Sequence, residues 1–158
     1  MTKIIAAVES ELIEQGWATK PMTGFNDLVG PIWARREGGV WVNGFLVTDK
    51  HLNFRRNLHG GMLATFADSV LGRMVFNAVK PRPSATIQLN MHYVAPVRLG
   101  DFVEGRAEII RVTGSLAFVA GRFSVGAGVV ATADGVWKIL NVSQRSSVDA
   151  DSRPAERE

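Results

Sequence analysis

One carboxylate and a pair of glycines are the parts of this sequence with the clearest chemical use. Gly60-Gly61 closes the polar loop Asn53–His59, and Asp68 lies in the helix-period run that follows, to Val79. Glycines at a helix start let a ligand reach backbone N–H groups, which point along the positive end of the helix dipole. Donors so placed can hold a developing oxyanion. A carboxylate in a semi-buried cleft can act as a general base or a nucleophile, its basicity tuned by desolvation. Asn53 adds an amide donor one short loop away, and His59 an imidazole beside the helix start. Each also has a plainer reading. Asp68 can be a structural residue bonded to Thr65 or to backbone, and the glycines a tight loop. Asn53 can be a turn residue bonding its own backbone, and His59 a local hydrogen-bonding group.

The elements that must position these groups follow from periodicity. Met62/Leu63, Phe66/Ala67, Val70/Leu71, Met74/Val75 and Ala78/Val79 recur every four residues, the wide apolar stripe of a core helix. The other face carries Ala64, Thr65, Asp68, Ser69, Gly72 and Phe76, without the Lys and Glu of a solvated face. That face is therefore expected to be covered too. A sheet covers one side only, so a second subunit is the expected cover for the other. Arg73 breaks the pattern and has no evident partner.

Around this helix the chain reads mostly as strand. Residues 3–15 form a short amphipathic helix. Residues 17–39, rich in Gly and Pro and holding Trp17, Phe25 and Trp33, read as an irregular connection. Residues 40–47 read as a first strand. Residues 85–94 alternate, with Ile87, Leu89, Met91 and Tyr93 on one face and Thr86, Gln88, Asn90 and His92 on the other. Strands over 102–113, 116–125 and 129–140 follow, with a bulge expected at Asp134-Gly135. Joints this short make neighbouring strands antiparallel. The expected architecture is α+β: a long central helix wrapped by a curved antiparallel sheet of five to six strands, with an N-terminal amphipathic helix. One domain spans 1–145, and 146–158 lacks apolar periodicity and reads as a disordered tail.

Composition narrows the function classes. The 158 residues contain no cysteine, which excludes thiolate chemistry and disulfides. A net charge of +3, scattered rather than clustered, suits a phosphorylated small ligand and argues against nucleic acid. No uninterrupted apolar run approaches the roughly 18 residues of a membrane span, and Glu9, Glu11 and Glu14 follow the first apolar residues too soon for a signal peptide. A cytoplasmic protein without membrane association is the resulting expectation. Gly126-Ala127-Gly128-Val129-Val130-Ala131 matches a dinucleotide pattern but runs into strand, so it reads as a hairpin turn. There is no G-x-S-x-G elbow, and His51, His59 and His92 have no metal-ligand spacing, so no metal is expected.

The run Asn53 … Leu58-His59-Gly60-Gly61 … Asp68 is followed by Tyr93-Val94-Ala95-Pro96-Val97-Arg98-Leu99-Gly100-Asp101 and Gly114-Ser115-Leu116-Ala117-Phe118. Together these resemble the hotdog-fold acyl-CoA thioesterases, in the PaaI-like branch of the 4-hydroxybenzoyl-CoA thioesterase superfamily. The resemblance covers roughly residues 40–142. It implies that Gly60 donates its N–H to the thioester carbonyl, assisted by the Asn53 side chain. It implies that Asp68, reaching in from a partner subunit, activates the attacking water or attacks directly, and that Thr86 helps position that water. His59 would shape the loop, Gly61 and Thr65 would border the substrate, and Arg98 or Lys138 would meet coenzyme A phosphates. No cofactor is implied, coenzyme A entering only as part of the substrate. A homodimer is implied, with a dimer of dimers as its extension. The family often has Gly three residues before the His, where this chain has Arg56; Arg55-Arg56 could instead face a phosphate.

Three functions of different class follow. The first is thioester hydrolysis, giving acid and free coenzyme A. The second is a non-catalytic hotdog protein that binds acyl-CoA or serves as an accessory subunit. The third, a hydratase or dehydratase, fits the Asp and His placement least.

Overall fold

The computed structural model describes residues 2–141, and for the first three of these the backbone alone. The tail expected at 146–158 lies outside the described residues. In chain order the elements are α1 (Thr2–Glu14), β1 (Ala18–Thr19), α2 (Phe25–Val29), β2 (Trp33–Glu37), β3 (Val40–Leu46), α3 (Gly60–Val79), β4 (Ser84–Tyr93), β5 (Phe102–Val112), β6 (Leu116–Val125) and β7 (Gly128–Ile139), with a 3-10 turn at Asp49–His51 between β3 and α3. The strands form one antiparallel sheet in the order β1-β2-β3-β5-β6-β7-β4.

The central helix is α3. Its stripe of Met62, Leu63, Phe66, Ala67, Val70, Leu71 and Val75 is buried against the inner face of the sheet. Phe66 meets Phe45 of β3 and Phe123 of β6 edge-on, at 4.8 Å and 5.7 Å between ring centres. By length and composition α3 could cross a membrane. The sheet wraps it instead, as the core helix of a folded domain. On the outer face, α1 sets Leu12 against a second cluster of Trp17, Trp33 and Val42.

Two expectations need correction. The segment 17–39 is not irregular. It supplies β1, α2 and β2, which brings the sheet to seven strands rather than five or six. β2 is hard to read because its outer positions are charged. Arg35 lies over the Trp17 ring at 4.5 Å and pairs with Glu37, which also takes Arg106 from β5. The Arg106 guanidinium, with Arg35 behind it, holds the Glu37 carboxyl below the usual carboxylate range despite partial desolvation.

The second correction concerns the bulge. It falls in β4, between Thr86 and Gln88, not at Asp134-Gly135 of β7. Gly135 is there for close approach: a Cβ would lie 2.5 Å from the Gln88 carbonyl and 2.6 Å from the Trp137 ring. The extra residue is Ile87, left 59% exposed. One inserted residue reverses the facing of everything before it. Thr86 pairs with Trp137, whose ring is buried in the core, so Thr86 shares the inner face with Leu89 and Met91. Simple alternation puts it on the outer face.

Candidate active site

The loop between β3 and α3 is built largely by side chains bonding backbone. Asn53 Oδ1 accepts from the N–H groups of Arg55 (2.9 Å) and Asn57 (3.2 Å), closing an Asx-type turn. Arg56 takes φ 63°, a left-handed conformation adopted here by a non-glycine residue. That conformation costs an L-residue about 1 kcal/mol. An exposed ion pair from Arg56 to Asp49, at 2.8 Å, offsets little of it. Beyond the corner, Leu58 N–H donates to the Val97 carbonyl at 2.8 Å, which ties the loop to the segment after β4.

His51 anchors the loop from beneath. It is 3% exposed. Its Nδ1 accepts from the Thr48 N–H at 3.1 Å, and its Nε2 donates to the Val29 carbonyl at 2.9 Å. Both bonds require the neutral ring with its proton on Nε2. Burial pushes its pKa below the ordinary 6.5, with the Lys50 charge adding to the shift and the bond to Val29 opposing it. The His51 carbonyl in turn receives the His59 N–H at 2.8 Å. The unfolded chain therefore takes up this proton before the folded one does. The contribution is present above pH 6.5 and is lost as pH falls from there through the folded-state value. Urea unfolding should show stability declining with pH in that window, and the decline should be shallower in His51→Gln. Equal slopes in the two proteins would disprove it.

His59 caps α3. Its Nδ1 accepts the Gly61 N–H at 2.9 Å. A Cβ on Gly61 would lie 3.0 Å from that nitrogen, so the second glycine lets the cap close. Among the described residues nothing takes the Gly60 N–H, the first orphan donor of the helix. Gly60 is fixed on its other side, where Tyr93 Oη donates to its carbonyl at 3.1 Å. These groups border a pocket of about 410 Å³, which Leu58, Leu63, Val94 and Pro96 also line.

Asp68 lies two turns further along α3, half-buried. Its Oδ1 accepts from Thr86 Oγ1 at 2.8 Å. The β4 bulge makes this contact possible by turning Thr86 inward. Both residues line a second, larger cleft of about 1000 Å³. Its walls come from α3, the start of β4 and the segment 18–43. Eight residues of helix separate Asp68 from Gly60, about 12 Å along the axis. A carbonyl bound at the Gly60 N–H is therefore out of reach of the same chain's carboxylate.

The comparisons with known proteins bear on this arrangement. A family model described as the thioesterase superfamily matches residues 56–132. PA0474 of Pseudomonas aeruginosa, named as a candidate esterase, is 32% identical over 115 residues, covering 72% of this chain and 86% of its own. This chain belongs to the thioesterase superfamily. Mouse acyl-coenzyme A thioesterase 13 is 28% identical over 74 residues, 47% of this chain and 53% of its own length. The phenylacetic acid degradation protein PaaI of Thermus thermophilus superposes with TM-score 0.64 at 25% identity, covering 73% of this chain and 98% of that one. BH2602 of Bacillus halodurans, solved with CoA, superposes with TM-score 0.69 at 24% identity over 89% and 93% of the two chains. The fold is the hotdog fold.

In this thioesterase-family chain the residues singled out from sequence fall into two groups. Asn53, His59, Gly60 and Gly61 gather at the helix start, while Asp68 and Thr86 meet at the cleft. Thr65 donates to the Gly61 carbonyl at 2.9 Å, a bond within the helix. The Arg98 N–H donates to Asp101 at 2.7 Å, and its exposed guanidinium has no ion pair among the described residues. Lys138 lies on the outer face of β7, since its neighbour Trp137 points inward. Arg73, unpaired in the same sense, lines the cleft. No cluster of three or more metal-ligating side chains occurs among the described residues. Sequence reading missed His51 and Tyr93 as site-builders. A buried histidine gives no pattern of its own, and Tyr93 reads as one more apolar position of an alternating strand.

Proposed function

We propose that this chain hydrolyses acyl-CoA thioesters at a site shared by two copies of itself. The observation that carries the reading is the placement of the two half-sites at opposite ends of β4. Thr86, near its start, holds Asp68; Tyr93, at its end, holds Gly60. β4 is also a free edge of the sheet, ten residues long. Such an edge invites pairing with another strand. Two copies of β4 paired antiparallel about Asn90, with Ile87 bulged out of each, set Thr86 opposite Tyr93 of the partner subunit. Asp68 then meets Gly60 of the partner subunit, and the roughly 12 Å gap within one chain ceases to matter.

The chemistry follows from that pairing. The thioester oxygen takes the Gly60 N–H of one chain, where the positive end of α3 also favours a developing negative charge. Asp68 of the other chain removes a proton as water oxygen bonds to the carbonyl carbon. Collapse breaks the carbon–sulfur bond, and the departing thiolate of coenzyme A takes up that proton. Asn53 Oδ1 is held by its own loop, which leaves the Nδ2 end as the side-chain donor beside the site. The solved neighbour BH2602 contains CoA, which supports a coenzyme A thioester as the substrate class. The chain supplies every group in this scheme, and we assign it to the cytoplasm on that substrate.

Mixing the two half-site variants tests the sharing. Asp68→Asn removes the base and Gly60→Pro removes the donor. Unfolded and refolded together in equal amounts, they should regain about a quarter of wild-type turnover. Half the dimers are then mixed, and each mixed dimer has one intact site of two. Free-thiol release from acyl-CoA measures it. Activity no higher than that of the separate variants would sink the shared site.

A further inference from the structure

Two successive peptide groups open α3, and their polar atoms are held by different kinds of partner. In the His59–Gly60 peptide the carbonyl accepts the N–H groups of Met62 (2.9 Å) and Leu63 (3.2 Å). In the Gly60–Gly61 peptide the N–H goes to His59 Nδ1 at 2.9 Å, and the carbonyl accepts from Tyr93 Oη at 3.1 Å. Of these four polar groups, only the Gly60 N–H lacks a partner among the described residues. The bonds to Met62, Leu63 and His59 are made within the first turn. The bond from Tyr93 comes from 33 residues away. Helices fray at their ends, and two adjacent glycines leave this backbone with the most freedom to do so. A donor that is to meet an oxyanion must instead be fixed before the reaction.

We propose that Tyr93 is a positioning residue: its hydroxyl fixes the Gly60–Gly61 peptide and thereby the direction of the Gly60 N–H. The proposal rests on the hydrolytic reading above. Tyr93 ends β4, where it pairs with Ala131 of β7. Just beyond it the N–H groups of Val94 and Ala95 both donate to the Val130 carbonyl, at 2.9 Å and 3.2 Å. The backbone that carries the ring is therefore held by the sheet on both sides. The ring passes 3.6 Å from where a Cβ on Gly60 would lie, yet the residue is 53% exposed. Burial alone gains little at that exposure, and phenylalanine would supply the same ring contact. What tyrosine adds is the hydroxyl, and it is spent on a carbonyl of the helix start. The bond carries the order of the sheet into the first turn of α3. Displacing a reacting group by 1 Å can cost about 10²-fold in rate, so the groups that hold a donor from behind set how well it works. In the proposed pairing Tyr93 also lies opposite Thr86 of the partner subunit. One strand end then registers the donor of one chain against the base of the other.

Tyr93→Phe keeps the ring and removes the one bond. With acyl-CoA as substrate, kcat should fall about tenfold or more while KM stays within about threefold of wild type, because an oxyanion donor acts in the transition state. An unchanged kcat overturns the proposal. A raised KM at unchanged kcat overturns it too, since the hydroxyl is then a substrate contact. A double-variant cycle separates positioning from a general loss of structure. Gly60→Pro has no N–H left to aim, so adding Tyr93→Phe to it should lower kcat by less than about twofold more. Losses that multiply overturn the proposal, because the hydroxyl then acts independently of that donor. The last measurement needs no substrate. Nitrogen-15 relaxation of the Gly60 amide should give an order parameter of about 0.85 in wild type, as for rigid backbone, and below about 0.6 in Tyr93→Phe. Equal values in the two proteins overturn the assignment. If no thioester is turned over but the Gly60 amide loosens as expected, the hydrolytic reading fails and the positioning assignment stands.

Discussion

Asp68→Asn should lower turnover of acyl-CoA at least a hundredfold and leave the melting temperature of the protein unchanged. The expectation of an intact fold comes from the local bonding. Asp68 is an acceptor for the Thr86 hydroxyl at 2.8 Å, and an asparagine oxygen accepts in the same place. The residue is half-buried and faces the cleft, and no ion pair to it occurs among the described residues, so neutralising it strands no counter-charge. The expectation of lost turnover comes from proton balance. Water attacking a thioester must shed a proton, and an amide cannot take it. General base catalysis of this kind is worth about 10²–10⁴ in rate. The loss should appear in kcat with little change in KM, because the proton moves only in the transition state. Turnover within threefold of wild type would remove Asp68 from the mechanism. A large fall in KM alongside kcat would point instead to a charge that repels substrate.

How much of this was legible in the sequence depended on whether a residue's neighbours obey one period. The core helix was, because its apolar pairs recur at helical spacing for five turns and the sheet then buries that stripe. Of its second face, Asp68, Ser69, Gly72 and Phe76 line the large cleft, and the second subunit expected to cover that face belongs to the proposed shared site. The partnership of Asp68 with Thr86 was not derivable from strand alternation, which put Thr86 on the wrong face. A single bulge residue, Ile87, carries no signal of its own yet reverses the parity of the strand before it. Residues 17–39 failed for a different reason. β2 is five residues with charged outward positions, stabilised by stacking on Trp17 and by pairing with Arg106 across the sheet. Those are tertiary contacts, and local propensity does not contain them. Arg56 shows the reverse case: its sequence neighbours do not signal the left-handed conformation it adopts, at φ 63°.

The helix start can be tested with a substitution that removes one hydrogen atom's worth of chemistry. Gly60→Pro deletes the N–H proposed to hold the oxyanion, and the local backbone already suits proline. Gly60 is the first residue of α3, where proline is well tolerated because the missing N–H has no partner within the helix. The residue before a proline is restricted to extended conformations, and His59 sits at φ −67° and ψ 130°. A Cβ at position 60 meets only the Tyr93 ring at 3.6 Å, ordinary contact. The carbonyl that Tyr93 bonds and the Gly61 N–H that His59 caps are both retained. Stability should therefore be within about 1 kcal/mol of wild type, measured by urea unfolding. Turnover should fall about 10²–10³-fold, the effect of losing one oxyanion donor, or about 2.7–4 kcal/mol. Gly60→Ala is the control. It adds the same Cβ but keeps the N–H, and it should retain turnover within about tenfold of wild type, roughly 1.4 kcal/mol. If alanine and proline are equally damaging, the site is sensitive to bulk beside Tyr93 and the peptide donor has no special role. If neither is damaging, the oxyanion is held elsewhere, and Asn53 Nδ2 becomes the side chain to test.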